Sequence, residues 1–159
     1  MKYEAKYASD PGHPDYDQYM SLKGMVDRMH GENGVDISSG DISHRATAAM
    51  LRAIKKDAID ERSRLEPGEI DGVVLSRGNR QAQAGEYAIA YQGDPANPTV
   101  RTLGVPTREL LAPAEQNLQE INRINEQAQR TQERQQVQAR QQEQAQDAQA
   151  PATAPRSMF

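Results

Sequence analysis

The sequence predicts an α+β domain with two N-terminal helices, a small antiparallel sheet of two to three strands, a C-terminal helix and then a disordered Gln-rich tail. Three observations predict it. Apolar residues recur at helical spacing early in the chain, β-preferring runs occupy its middle, and its end is built largely from Gln, Arg, Glu and Ala. Helices therefore flank the strands instead of alternating with them, which is typical of the α+β class.

The first helix is indicated by a single apolar stripe. Tyr19, Leu22, Val26 and Met29 recur every three or four residues, after a proline-rich approach. Asp15 is placed to act as the N-cap, so the helix is expected to run from there to about Met29. The sequence "HGENGVDISSG" then ends it with three glycines and an asparagine.

A second helix is expected to start at Asp41 or Ser43 and to reach about Ile59. Its predicted inner face is small and aliphatic and its outer face is basic. The inner residues are Ala46, Met50, Ala53 and Ile54, and the outer ones are Arg45, Arg52, Lys55 and Lys56.

Two short runs predict a β-hairpin. The first, 73–75, is Val-Val-Leu, and the second, 87–92, alternates Tyr, Ile and Tyr with Ala, Ala and Gln. A polar loop joins them, as in an antiparallel hairpin. The segment "TVRTLGV" alternates more weakly and gives a third strand.

Helical signals return at Thr107. Ala114, Leu118, Ile121, Ile124 and Ala128 form a narrow seam, and beyond it only good helix formers with little to bury remain. Such a segment is either a solvated helix or a disordered tail. We therefore expect an N-terminal extension at 1–8, a globular domain at 9–127 and a flexible Gln-rich tail at 128–159.

Composition narrows the possible functions. The chain of 159 residues has no cysteine, which excludes a disulfide framework and a thiolate zinc site. Its first residues are charged and resemble no secretory signal peptide, and no stretch is long enough to span a membrane. A net charge of -4 with interleaved bases argues against nucleic-acid binding. The aromatic fraction of 4% predicts a small core of modest stability.

The chemistry-bearing residues predict no active site, no cofactor and no metal. His13, His30 and His44 lack the spacing of paired metal ligands and are expected at the surface or in caps. Ser76 follows a strand but lacks a nucleophile elbow, so we expect its hydroxyl to bond within its own turn. The glycines match no phosphate-binding loop. The chain is therefore not expected to be an enzyme.

Four motifs in a fixed order resemble those of a known family. They are "DPGHPDYDQY", "IDGVVLS", "YAIAYQGDPANP" and "APAEQNLQEIN", followed by the glutamine-rich end. Together they resemble the XVIPCD, the C-terminal domain of antibacterial effectors that xanthomonads and their relatives export through a type IV secretion system. The resemblance covers about residues 9–125 and the tail.

Two departures from the family pattern are apparent. Tyr87, Ile89 and Tyr91 stand where the second strand usually has Phe and Val, and Ala114 replaces a valine, which we interpret as core changes that preserve the fold. Family members usually carry a toxin domain ahead of this module, whereas eight residues precede Ser9 here. We expect the chain to be the signal module alone, either cut from a longer effector or a member without a toxin.

The resemblance implies a translocation signal that is not catalytic. The coupling ATPase of a bacterial-killing type IV secretion system would bind it through its all-alpha domain. The protein would reside in the donor cytoplasm and then pass through the channel into a target bacterial cell. A secretion signal of this kind is expected to be a monomer, with a cognate immunity protein as partner where a toxin domain is attached. Charge and hydropathy, as above, predict neither nucleic acid nor membrane as a partner.

Candidate partner-binding residues lie in the first and third motifs, and all are expected to be partly exposed. They are Asp10, His13, Pro14, Asp15, Tyr19, Gln92, Asp94 and Pro95. The structural alternative is that His13, Asp15 and Asp94 only cap helices and turns. Two other functions stay open: a coiled-coil adaptor that dimerises through residues 107–150, and a small hydrolase built from Ser76, His44 and an acid.

Overall fold

The computed structural model describes residues 6–78 and 83–153, with side chains as far as residue 146. The chain divides into two compact units, Met1–Ile124 and Asn125–Phe159. The element order is α1 (Tyr16–Glu32), α2 (Asp41–Ala58), β1 (Gly72–Leu75), β2 (Tyr87–Gln92), β3 (Arg101–Pro106), a 3-10 helix (Thr107–Leu111) and α3 (Ala114–Thr153). This order confirms the α+β fold with its two leading helices and a three-stranded antiparallel sheet.

Helix α1 buries the stripe that the sequence indicates, and Tyr19, Leu22, Val26 and Met29 all lie in the core. Asp15 occupies the N-cap position, but its side chain makes no capping hydrogen bond. The helix ends three residues later than expected, because the Asn33 side chain donates to the carbonyl of Met29 at 2.7 Å and satisfies it.

Helix α2 begins at Asp41, directly after Gly40, whose φ of 76° suits a residue without a side chain. Its buried residues include Ala46, Ala48 and Ala49, and these small side chains allow close packing against neighbouring elements. Ala53, expected on the inner face, is only partly buried against the core.

The sheet has the order β1-β2-β3 with antiparallel neighbours. In β2, Ala88 and Ala90 are fully buried, whereas Tyr87, Ile89 and Tyr91 are half-buried on the opposite face. The expectation that the larger residues of this strand fill the core is therefore wrong. Inward alanines leave room for the packed helical layer, and Ala88 pairs with the buried Val105 of β3.

The last helix starts later than Thr107. Residues Thr107–Leu111 form a 3-10 helix, and Ala112 is extended with ψ 152°. The residue before a proline avoids the α region, so the chain cannot be helical across Ala112 and Pro113. Within the first unit, α3 buries Ala114, Leu118, Ile121 and Ile124 as expected.

The glutamine-rich segment is helical as far as Thr153, where α3 ends. Every side chain from residue 126 to 146 is exposed, including Ala128, which was expected in the seam. Gln, Glu, Arg and Ala favour the helix without needing a partner, so residues 128–146 have the form of a solvated helix. Among the residues that the structure describes, no helix is both long enough and apolar enough to cross a membrane.

Candidate functional site

The first motif folds into consecutive tight turns ahead of α1. The amide of Asp10 donates to the carbonyl of Tyr7 at 2.8 Å, and the amide of His13 donates to the carbonyl of Asp10 at 3.2 Å. The Asp10 carboxylate in turn accepts from the amide of Tyr7 at 2.8 Å. Asp10 therefore fastens its own turn, as Asp residues commonly do.

His13 connects this turn to α3 through a relay of hydrogen bonds. Its Nδ1 accepts from the amide of Asp15 at 3.0 Å, so Nε2 carries the proton and donates to Oδ1 of Asn122 at 2.9 Å. The Asn122 amide group then donates to the carbonyl of Lys6 at 2.8 Å. The histidine side chain is only 6% exposed. The first and fourth motifs of the sequence therefore meet through His13 and Asn122.

Asp15 is buried and forms an ion pair with Lys55 of α2, with Oδ1 and Nζ 2.9 Å apart. The pair joins the start of α1 to the last turns of α2. Lys55 was expected on a solvated face, and the sequence carries no local signal for a partner 40 residues away.

Tyr19 is also buried, and its hydroxyl lies 2.5 Å from Nδ1 of His44. Burial, helped by the negative charge of Asp27, raises the pKa of Tyr19 to about 12. Asp27 itself accepts a short hydrogen bond from the hydroxyl of Ser43. Two polar pairs, Tyr19 with His44 and Asp27 with Ser43, therefore join α1 to α2.

The expectation that all eight candidate residues are partly exposed is wrong for Asp15 and Tyr19, and for the side chain of His13. His30 differs from expectation too, because it is 7% exposed and its Nδ1 has no hydrogen-bond partner in the described structure. Burial lowers the pKa of His30, although Asp27 acts in the opposite direction.

Gln92, at the end of β2, pairs with the backbone of Glu66. Its Oε1 accepts from the Glu66 amide at 2.9 Å and its Nε2 donates to the Glu66 carbonyl at 2.8 Å. The neighbouring Gly93 amide donates to Oδ2 of Asp71 at 2.6 Å. The second and third motifs are thus joined by Asp71 and Gly93, and together with Gln92 they hold the loop before β1 against the turn after β2.

The turn beyond Gln92 is exposed. Asp94 Oδ1 accepts from the amide of Ala96 at 2.9 Å, and the Asp94 carbonyl accepts from the amide of Asn97. Pro95 and, in the first motif, Pro14 are exposed as well. These exposed residues stand on turns that hydrogen bonds hold in a fixed shape.

A cavity of about 250 Å³ lies where α1, α2 and the loop before β1 meet. Its apolar wall includes Ile54, Leu65 and Ile70, and its polar wall includes Gln18, Lys55 and Gln92. The cavity brings together Gln18 of the first motif, Lys55, which is the partner of Asp15, and Gln92 of the third motif. Sequence reasoning missed this arrangement, since it depends on contacts between distant segments.

The two residues named for a hydrolase, Ser76 and His44, are each hydrogen-bonded to other groups. The Ser76 hydroxyl donates to the carbonyl of Gln83 and accepts from the amide of Tyr87 at 3.0 Å, as expected of a serine that bonds its own turn. His44 is engaged by Tyr19. Among the described residues, no group of three or more His, Cys, Asp or Glu side chains is arranged to hold a metal ion.

The folded unit is thus a small α+β domain whose sequence motifs meet in pairs to brace its loops. A family model described as X-Tfes, XVIPCD matches residues 9–123, which is more than half of the chain. The chain belongs to this family, and as an XVIPCD it is a secretion-signal domain of a type IV system. The matched residues end beside Ile124, the last residue of the first compact unit. A search of curated proteins found no match.

Proposed function

We propose that this domain is the signal by which the coupling ATPase of a bacterial-killing type IV secretion system recognises an effector and directs it to the channel. The partner surface would be the all-alpha domain of that ATPase, and the signal itself would not be catalytic. The observation that carries the proposal is the family match over the folded unit, residues 9–123.

The exposed part of the third motif is our preferred docking element. Asp94 and Pro95 are exposed, and backbone hydrogen bonds to Asp94 and Asn97 fix the shape of their turn. A preordered turn loses little conformational entropy when it binds, which favours affinity. Gln92 contributes indirectly, because it holds this turn against Glu66.

The exposed part of the first motif is a second candidate. Asp10 and His13 shape the turns that present Pro14, whereas the buried Asp15 and Tyr19 act by fixing α1. We therefore assign direct contact to the exposed residues of the eight candidates and a supporting role to the buried ones.

The glutamine-rich helix is proposed as the segment that the secretion machinery engages after docking. Its side chains from 126 to 146 are exposed, and it contains Val137 as its single large aliphatic residue between 126 and 146. A helix without a buried face gains little from tertiary packing, so it unfolds at small cost. Glutamine keeps the segment hydrated without strong charge.

We propose that the protein acts as a monomer, resides in the donor cytoplasm before export and enters the target bacterium through the channel. Where a toxin domain is attached, a cognate immunity protein is a further partner. The competing proposal is a dimeric adaptor acting through residues 107–150. A coiled-coil dimer would need an apolar seam along this helix, and between 126 and 146 Val137 is the single large aliphatic residue that could contribute to one.

Calorimetric titration of the chain into the isolated all-alpha domain of a cognate coupling ATPase tests the proposal. We expect saturable one-to-one binding, and the same titration with a chain truncated after Asn125 separates the folded unit from the tail. Absence of binding by both chains would contradict the proposal. A dimer mass in solution would favour the adaptor instead.

Point variants test the docking turn. Asp94→Asn keeps the oxygen that accepts from Ala96 but removes the charge, and Pro95→Ala removes an exposed ring. Each should weaken binding about fivefold or more without changing the melting temperature. Pro98→Ala, an exposed proline nearby, is the matched control and should bind normally. Undiminished binding by both Asp94→Asn and Pro95→Ala would exclude the turn as the docking element.

A further inference from the structure

An N-terminal strap, residues 6–13, is bound along one face of α3. The Tyr7 hydroxyl donates to Glu115 at 3.1 Å and accepts from Gln119 at 3.4 Å. One turn further on, Asn122 contacts both His13 and the carbonyl of Lys6. The three helix residues follow each other at spacings of four and three, so they lie on a single face of α3.

The strap also has an apolar contact with the core. Ala8 is completely buried, and Tyr7 packs against the buried cluster that includes Leu118 and Ile121 of α3. Strap and helix are therefore attached to each other both by packing and by side-chain hydrogen bonds between residues more than 100 positions apart in the chain.

The rest of the folded unit has its own connections. The sheet is held by its backbone ladder. Helices α1 and α2 are joined by Tyr19 with His44 and by Asp15 with Lys55. In the part of the chain that the structure describes, the backbone bonds of α3 stay within the helix or reach Pro113 just before it. Its release would break no strand pairing.

We infer that the strap and residues 114–124 form one opening unit, in which the relay of His13 and Asn122 acts as a latch. Asn122 is central because both ends of its amide are used, Oδ1 by His13 and Nδ2 by Lys6. The ion pair with Lys55 holds Asp15 in place, so the movable part of the strap ends just before Asp15. This inference concerns the domain itself and does not rest on recognition by the ATPase.

The consequence is a defined order of opening. When the latch breaks, α3 loses its partner strap and its buried stripe becomes accessible, while α1, α2 and the sheet keep their own contacts. A pull on the chain beyond Ile124 acts on α3 first, because α3 is continuous with that segment. The last helix can therefore be withdrawn before the remaining fold unravels.

Native-state hydrogen exchange on the full chain, resolved by residue, tests the latch. In Asn122→Ala the amides of 118–124 should exchange about tenfold faster, the effect of losing roughly one well-formed hydrogen bond, although alanine is the better helix former. The amides of β2 should exchange at the unchanged rate. Gln116→Ala, at an exposed position of α3, is the control and should leave both rates unchanged.

Two further variants strengthen the test. His13→Ala should reproduce the Asn122→Ala pattern, and the double variant should add less than the sum of the two, since both remove the same relay. Should either variant fail to fold, Tyr7→Phe removes only the hydroxyl that bonds Glu115 and Gln119, and it should accelerate exchange in 114–121 about threefold. Equal acceleration in α3 and β2, or no acceleration in α3, would overturn the inference.

Discussion

Breaking the ion pair between Asp15 and Lys55 should destabilise the domain far more than breaking an ion pair between two exposed side chains would. The perturbation is Lys55→Met, which keeps the length of the side chain and removes its charge. Asp15 remains buried, with its carboxylate deprived of the ammonium that now lies 2.9 Å away.

The expected magnitude follows from the burial of the two side chains. Removing one member of a fully buried pair costs about 3–5 kcal/mol, and an exposed pair contributes about 0–1 kcal/mol. Asp15 is 10% and Lys55 24% exposed in their side chains, so the cost should fall between these limits, at about 2 kcal/mol. For a unit of this size that corresponds to a loss of roughly 6–8 °C in melting temperature.

Urea unfolding followed by circular dichroism measures this cost. Lys56→Met is the matched control, because Lys56 is the next residue and is exposed, and its effect should stay within about 0.5 kcal/mol. The double variant Asp15→Asn with Lys55→Met should recover part of the loss, since the buried side chain at position 15 then carries no charge. Equal stabilities of Lys55→Met and Lys56→Met would refute the reasoning.

Three further predictions concern single residues. The pKa of Tyr19, raised by burial to about 12 against a usual value of 10.0, means that folding favours the protonated hydroxyl. Its contribution to stability is therefore complete below pH 10 and is lost as the pH rises toward 12; Tyr19→Phe should flatten this part of the pH profile of urea unfolding. Burial lowers the pKa of His30 below 6.5, so folding favours the neutral ring, and stability should fall as the pH drops through 6.5. In His30→Asn, the fall in the free energy of unfolding below pH 6.5 should disappear from the same unfolding profile. An unchanged fall would show that other groups cause it. A Cβ on Gly72 would collide with the ring of Tyr91 on the neighbouring strand, so Gly72→Ala should cost about 1–3 kcal/mol in thermal unfolding, and adding Tyr91→Ala should recover part of it.

The fold was predictable from the sequence because each element carries a local pattern. The stripe from Tyr19 to Met29, the alternation in β2 and the seam from Ala114 to Ile124 all appear where the periodicity places them. The helical signals from Thr107 onward correspond to two elements, the 3-10 helix Thr107–Leu111 and α3 from Ala114, because Pro113 keeps Ala112 out of the α region.

The candidate site was predictable only in part. The motifs indicated which segments matter, and the structure brings those segments together in pairs, His13 with Asn122 and Asp71 with Gly93. The exposure of each residue was not predictable. Asp15 and Tyr19 look like surface residues of a polar motif, but their partners Lys55 and His44 lie 40 and 25 positions away.

The sequence by itself determined the α+β order of elements, the family and the polar character of the C-terminal helix, because periodicity, motif order and composition are properties of neighbouring residues. Tertiary structure decided the rest. It turned two tyrosines of β2 outward and two alanines inward, buried Asp15 beside Lys55, and fastened the strap to α3. Those choices depend on which distant surfaces can pack together and on which buried polar groups find partners there.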